Sequence, residues 1–463
     1  MKIESYLTLM GLLLFPLFLN AQSYKSLWKK VDDAVEKNFP KTVMQHTQEI
    51  YDKAEKENNI GQLYKAGVYY YTMQMQIEPD SLITMVVKGE QRIQKIQDPI
   101  EKALMHSLLA ETYFEAGNRY RSYAKTAVDE SLDPLNLESW GGNQIVQAIL
   151  QHLDASLRDK EVLVNVSGED YVPFIEIGET SRYFNHDLYH VLAQRRIEML
   201  NSLLNRYFYN EWDGEYGKES VRNYLDEAYD EFIQVYKDSD KEAAQLFVQL
   251  ARWNREIKNE ESIEQLNQWI KQYADLPEVV EVYLAKATYY QHREPKKGMD
   301  VCDEALNLYP DYYRINAIKE IKSQILTPQL RVSVANLVYP EKEVELNVTH
   351  KNLKGFKLQW YLIDPANYDK ELSEEKLLAQ SKLHSTVEFQ LVPPSDYKAT
   401  DTLLTLTAPP MGRYLLCMET EEEDNGRANI SVITSSSFKG VSFYAYGKEH
   451  YELTVVDAET GYP

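Results

Sequence analysis

The chain has 463 residues, 44% apolar and 26% charged, a composition that excludes a disordered or collagen-like protein and leaves room for about three domains of ~150 residues. Acidic residues outnumber basic ones 72 to 50, and the formal net charge of -22 repels phosphate backbones and anionic lipid surfaces, so nucleic acid is not expected as a partner. The only two cysteines, Cys302 and Cys417, cannot make a disulfide framework, and both stand in apolar, core-like stretches where free thiols are common.

Lys2, the apolar run Leu7 to Leu19 and the small residue of Asn20-Ala21-Gln22 read as a secretion signal over residues 1–21, with the mature chain beginning at Gln22. No cysteine stands near that site for a lipid anchor, and no later run approaches the ~18 apolar residues that a membrane span needs. The product is therefore expected to be exported, to the periplasm, the cell envelope or the medium, without a membrane span.

From Tyr24 the apolar residues recur at helical spacing. Leu27, Trp28, Val31, Ala34 and Val35 form one stripe, Phe39-Pro40 breaks it, and Val43, Thr47, Ile50, Tyr51 and Ala54 form a second, which together predict a helical hairpin. Further stripes follow at Leu63 to Met73, Leu82 to Ile96 and Ala103 to Tyr113, separated by short polar breaks at Asn58-Asn59, Glu78-Pro79-Asp80 and Asp98-Pro99. Helices of this length with breaks this short stack as an α-solenoid or curved bundle. Between Tyr120 and Asn185 a helix is clear only from about Asn143 to Arg158, and the stretch Val162 to Ile177 with Pro173 predicts a long connection packed on the solenoid. Helices resume over Leu188 to Tyr207, Val221 to Tyr236, Lys241 to Ile257 and Ser262 to Tyr273.

One hairpin has a sharper pattern. Ala287, Tyr290, Gly298, Cys302, Ala305 and Pro310 keep the order and gaps of a tetratricopeptide repeat, in which small residues let two helices pack closely. Thirty-five tyrosines, such as Tyr69 to Tyr71 and Tyr289 to Tyr290, lie mostly in these helical patterns and read as packing residues with a polar tip.

After Leu326 and Pro328 the period falls to two. Leu330, Val332 and Val334, then Val344, Leu346 and Val348, then Phe356, Leu358 and Trp360 each alternate with polar or exposed positions. Strands at Val387 to Leu391, Leu403 to Thr407, Tyr414 to Glu419, Ile430 to Thr434 and Val441 to Tyr446 follow, with turns at Pro393-Pro394, Pro409 to Gly412 and Asp424 to Gly426. That spacing is the mark of an antiparallel β-sandwich. Tyr451, Leu453 and Val455 then begin a strand that runs into the turn Gly461-Tyr462-Pro463 without a partner, as the opening of a further sandwich would. The expected organisation is a signal at 1–21, a helical-repeat domain at 22–327, a sandwich at 328–447 and the first strand of a following one at 448–463.

Chemistry is sparse. His186-Asp187-Leu188-Tyr189-His190 sets two histidines four apart on a helix, as a zinc site would, with Asp187 where a metalloprotease has its glutamate. Aspartate is a methylene too short for that task, and Asn185 with Asp187 reads as a helix cap and a first-turn acid facing the helix dipole. The acidic run Glu419 to Asp424 lacks the alternating spacing of a calcium loop and reads as a solvated hairpin tip. Three matches to the glycan-acceptor pattern, at Asn165, Asn347 and Asn429, decide nothing. With no glycine-rich phosphate loop, nucleophile elbow or CxxC, no catalytic, cofactor-binding or metal-binding residue is assigned and no enzyme is expected.

The exported start followed by Tyr24, Leu27-Trp28, Val31, Ala34 and Pro40, the stretch Ala103 to Glu111, and Tyr309-Pro310 through Leu326-Thr327-Pro328 resemble the N-terminal region of large Bacteroidetes-type alpha-2-macroglobulin family proteins. Ala408-Pro409-Pro410-Met411-Gly412-Arg413-Tyr414-Leu415 is similar to the family's proline-glycine-tyrosine lead into a macroglobulin-type strand, and Val455 to Pro463 resembles the opening of the next sandwich. The resemblance implies an α+β multidomain chain, a tetratricopeptide-like α-solenoid followed by a macroglobulin-type antiparallel β-sandwich, serving endopeptidase inhibition or protease trapping in envelope defence. Its implied partners are proteases or envelope proteins. The chain departs from the family by omission: Cys302 is followed by Asp-Glu-Ala and Cys417 by Met-Glu-Thr, so the Cys-Gly-Glu-Gln thioester motif is missing, and no bait segment can be identified. Covalent trapping is assigned to no residue here, and scaffolding is what remains. The alternatives are an exported helical-repeat module that binds protein or glycan without inhibitor activity, and a metalloenzyme built on His186 and His190.

Overall fold

The computed structural model describes residues 23–120, 132–175, 186–205, 216–237, 239–256, 258–367, 372–420, 428–444 and 451–462. The expected signal at 1–21, the acidic tip beyond Thr420 and Asn185 fall outside them. The chain divides into two compact units, Met1–Glu256 and Ile257–Pro463.

The first unit is helical. Ser23 caps α1 (Tyr24–Glu36), its Oγ accepting from Ser26 N at 3.3 Å, and the buried Leu27, Val31 and Ala34 recur at the spacing of one helix face. Pro40 at the first turn opens α2 (Pro40–Glu57), and Asn58, in the left-handed conformation, ends it. Asn59 caps α3 (Ile60–Ile77) by accepting from Gln62 N at 3.1 Å. Then come α4 (Ser81–Ile93) and the long α5 (Pro99–Tyr120), the latter capped by Asp98 Oδ1, which accepts from Ile100 N at 2.9 Å and Glu101 N at 2.7 Å. Consecutive helices pack as antiparallel neighbours because the breaks between them are only a few residues long. Gly89 is where α4 comes closest to α5: a Cβ there would lie 2.6 Å from Leu109 Cδ2.

Beyond α5, α6 (Gly142–Ser156) packs back on it, and the stretch expected as a connection holds a single turn, α7 (Lys160–Leu163), and a 3-10 turn at Gly168–Tyr171. The unit closes with α8 (Leu188–Asn205), α9 (Lys218–Tyr236) and α10 (Glu242–Arg255). Among the described residues no helix is long and apolar enough to cross a membrane.

The second unit starts with α11 (Glu260–Gln272), α12 (Val280–Arg293), α13 (Pro295–Leu308) and α14 (Ile315–Leu326). Here the small residues do what their spacing predicts. Ala287, Cys302 and Ala305 are fully buried, and a Cβ on Gly298 would lie 3.0 Å from Ile325 of α14. Neither cysteine is in a disulfide, both are buried, and burial pushes the Cys302 thiol up to about 11.

Helix gives way to strand at Gln329. A three-stranded sheet in the order β1-β3-β6 combines β1 (Gln329–Ser333), β3 (Glu343–Lys351) and β6 (Thr400–Thr407). A five-stranded sheet in the order β2-β8-β7-β4-β5 combines β2 (Leu337–Val338), β4 (Gly355–Leu362), β5 (Lys382–Gln390), β7 (Gly412–Glu419) and β8 (Ala428–Ser435), all antiparallel except β2 against β8. Val344, Leu346 and Val348 of β3 meet Phe356, Leu358 and Trp360 of β4 and Tyr414, Leu416 and Met418 of β7 in one core. The run Tyr414-Leu415-Leu416-Cys417-Met418 is buried on both faces: Leu415 and Cys417 point away from that core and pack under Leu377 and Leu378 of a short helix, α15 (Glu374–Gln380), which the sequence reading missed. A continuous apolar run is what two-sided burial demands. The turn at Pro409 to Gly412 has a visible task, with Tyr414 Oη donating to Pro410 O at 3.0 Å and Ser435 Oγ to Pro409 O at 2.7 Å.

Helices α11 to α14 and the sheets lie in the same compact unit, Ile257–Pro463, on either side of the change of period at Pro328. At the β3–β4 turn, Asn352 Nδ2 donates to Ile325 O at 2.8 Å and Lys351 Nζ to Gln324 O at 2.9 Å, satisfying carbonyls in the last turn of α14. The segment expected to close the sandwich, β9 (Phe438–Tyr444), pairs instead with β10 (Tyr451–Asp457) in a separate two-stranded sheet, so the final strand has a partner. Few residues separate the two strands, and pairing them closes a shorter loop than a return to either large sheet. Lastly, Val455, expected on the covered face, is exposed and Val456 is buried, since a one-residue offset exchanges the faces of a strand.

Candidate functional site

Helices packed as cylinders leave grooves, and in the first unit one groove is large, a cleft of about 980 Å³. α3 contributes Leu63, Tyr64, Gly67, Val68, Tyr71, Thr72 and Met75, a stripe at steps of about one turn. α4 adds Leu82, Met85, Lys88 and Arg92, and α5 adds Leu104, Met105, Leu108, Glu111, Thr112 and Glu115. Val191, Leu192, Arg195 and Glu198 of α8 form the remaining wall with Glu169, Phe174 and Ile175. The lining is mainly apolar, with Met75, Met85 and Met105 among tyrosine, threonine and charged side chains.

Two ionic networks fix the walls. Arg92 Nη1 donates to Tyr51 Oη at 2.7 Å and its Nη2 to Glu101 Oε1 at 2.9 Å, while Tyr64 Oη donates to Glu101 O at 3.3 Å, tying α2, α3, α4 and α5 together. Burial would lower the Arg92 guanidinium, but Glu101 and the two phenols outweigh it and hold it above its usual range. Burial raises the Tyr51 and Tyr64 phenols, so neither acts as a base. Across the cleft Arg195 pairs with Glu111 at 2.6 Å and with Glu198 at 3.4 Å.

Behind the wall lies a buried titratable cluster. His106 Nδ1 and His152 Nδ1 are 2.9 Å apart, His152 Nε2 is 2.9 Å from Glu90 Oε1, and Tyr113 Oη donates to the same oxygen at 2.8 Å. Burial, then the charges of His152 and Arg158, push the His106 ring down to about 4. Burial acts to raise the Glu90 carboxyl, but the hydrogen bonds and charge of His152 more than offset it and leave it below its usual range. Glu90 and His106 adjoin the lining residues Gly89 and Met105 in sequence, so cleft and cluster share helices α4 and α5.

The histidines singled out from sequence, His186 and His190, lie in an aromatic cluster. Asp187 is itself the helix cap, its Oδ1 accepting from His190 N at 2.8 Å and from Tyr236 Oη at 2.8 Å, and its Oδ2 from Lys241 Nζ at 2.6 Å. The His190 ring lies edge-on to His186 at 4.7 Å and to Phe232 at 4.8 Å, and burial, then the charges of His186 and Lys241, push it down to about 3. It is a neutral aromatic in a packed cluster. Among the described residues no group of three or more His, Cys, Asp or Glu side chains is placed to hold a metal ion. The cleft itself was missed. Its signal was present in Leu63 to Met75, which is apolar or aromatic around more of the helix than one buried face requires.

No protein-family model and no characterised protein matches the sequence. Among solved structures the chain is similar to native alpha-2-macroglobulin from Escherichia coli, in a crystal structure spanning domains MG0-NIE-MG1, at 20% identity and a TM-score of 0.22, over 29% of this chain and 47% of that one. It is also similar to the CARDB domain of a Pyrococcus furiosus protein, in complex with di-metal ions, at 13% identity and a TM-score of 0.16, over 24% of this chain and 92% of that one. The chain thus spans about half, 47%, of the alpha-2-macroglobulin structure. The likeness is distant and one of fold.

Proposed function

We propose that this chain is a binding scaffold, the N-terminal part of an exported alpha-2-macroglobulin-like protein in which the helical unit receives a partner and the sandwich begins a series of macroglobulin-type modules. The cleft of about 980 Å³ carries the reading: an apolar floor held open by paired charges suits capture of a ligand. Its phenols stay protonated and its arginines are neutralised by carboxylates, an arrangement that supports binding over catalysis. Endopeptidase inhibition is the role that the residue-level resemblance implies for the whole assembly, and the β9–β10 ribbon is read as the opening of its next module.

Titration with an environment-sensitive apolar dye tests the cleft. One saturable site is expected, and it should disappear in Gly67→Leu, whose added side chain enters the cleft with only Tyr51 nearby, 3.8 Å from the new Cβ. Dye binding that is absent, or that Gly67→Leu leaves intact, would end the reading.

A further inference from the structure

We infer that the cleft takes a cationic amphipathic peptide, seated as about two turns of helix with its apolar side chains on the floor. This deepens the binding-scaffold reading and rests on it. A helix is ~10–12 Å across and rises ~1.5 Å per residue, so about two turns fill a groove of this size; the cleft is about 980 Å³. The floor selects the chemistry. Val68, Leu108, Phe174, Ile175 and Val191 line the cleft half-buried, an apolar surface that the apolar face of a peptide would cover. Met75, Met85 and Met105 add side chains that adapt to varied apolar partners, as helix-receiving grooves do.

The rim selects the charge. Glu111, Glu115, Glu169 and Glu198 outnumber Lys88, Arg92 and Arg195 there. Arg92 is answered by Glu101, and Arg195 by Glu111 and Glu198, so among these rim groups Glu115 and Glu169, both exposed, stand against Lys88 alone. The whole chain carries -22, which draws cations toward it. An uncharged acyl chain would fill the floor and leave this rim unused. A peptide with leucines at i, i+3, i+4 and i+7 and lysines elsewhere would use both.

That peptide, fluorescently labelled, is the probe, titrated into the full chain. It should bind about tenfold or more tighter than a scrambled version with no apolar face and than a version with Glu for every Lys, and added salt should weaken it. Gly67→Leu should abolish binding, and Glu115→Lys with Glu169→Lys should weaken it about tenfold. Should Gly67→Leu lose helical circular dichroism, Thr72→Trp fills the cleft from its exposed edge. Equal binding of the acidic peptide, or displacement by an uncharged detergent at matched apolar area, would overturn the assignment while leaving the cleft a site; loss of dye binding as well would remove the site.

Discussion

The helical unit ending at Glu256 and the sandwich after Pro328 bury their interiors in opposite ways. The helices enclose Gln144, His152, Asp187, His190 and Arg196 along with their leucines, and satisfy them through hubs such as Arg196 with Asp154 at 2.8 Å and Glu231 at 2.6 Å. The sandwich packs two sheets over one apolar cluster centred on Trp360, with His350 among its few buried polar residues. Cylinders leave grooves that side chains must line, whereas sheets stack face to face at about 10 Å and close on themselves. A cleft is therefore a natural product of the first unit, and a closed apolar core of the sandwich.

The strongest way to break this comparison is Trp360→Ala. It should cost about 3–5 kcal/mol and unfold the strand region in urea, while dye binding in the cleft persists; loss of both together would show that the units do not stand alone. Asp187→Ala comes next. Removing the cap, a buried acceptor for Tyr236 and the partner of Lys241 should cost about 2–4 kcal/mol, read as an earlier urea midpoint of the helical signal with the strand signal unmoved.

Acid should separate the regions further. His106 and His190 have folded-state values depressed to about 4 and about 3, so the unfolded chain binds protons that the folded chain refuses. Their contribution is complete above the unfolded value of about 6.5 and is lost as pH falls toward those folded values. Urea midpoints of the helical unit should decline over that window, and His106→Gln should flatten the decline. A midpoint that rises with acid would contradict the burial of both rings. The smallest effect is expected at the ribbon, where Tyr339 Oη donates to Asp457 and the Asp457 carboxyl, bonded by Thr460 N and by Tyr339, is held at about 2. Tyr339→Phe should speed amide exchange several-fold in β9 and β10 and leave β7 unchanged, since a two-stranded ribbon is marginal without support.

The sequence by itself determined the longer elements. Periodicity placed the helices, the change of period placed the first strand, and the small residues at Ala287, Gly298, Cys302 and Ala305 fixed one close crossing, because each of these signals is local: 3.6 or two residues of backbone repeat against one buried face. Tertiary structure decided what local pattern cannot carry. Whether the apolar stripe of α3 is covered or left lining a cleft depends on helices that come more than a hundred residues later, such as α8. Whether His186 and His190 meet a metal or pack against Phe232 depends on α9, and whether β10 has a partner depends on where β9 pairs. Spacing along a chain sets which residues share a face. Which faces meet is settled by long-range packing, and among the described residues the face of α3 that carries Leu63 to Met75 lines the cleft.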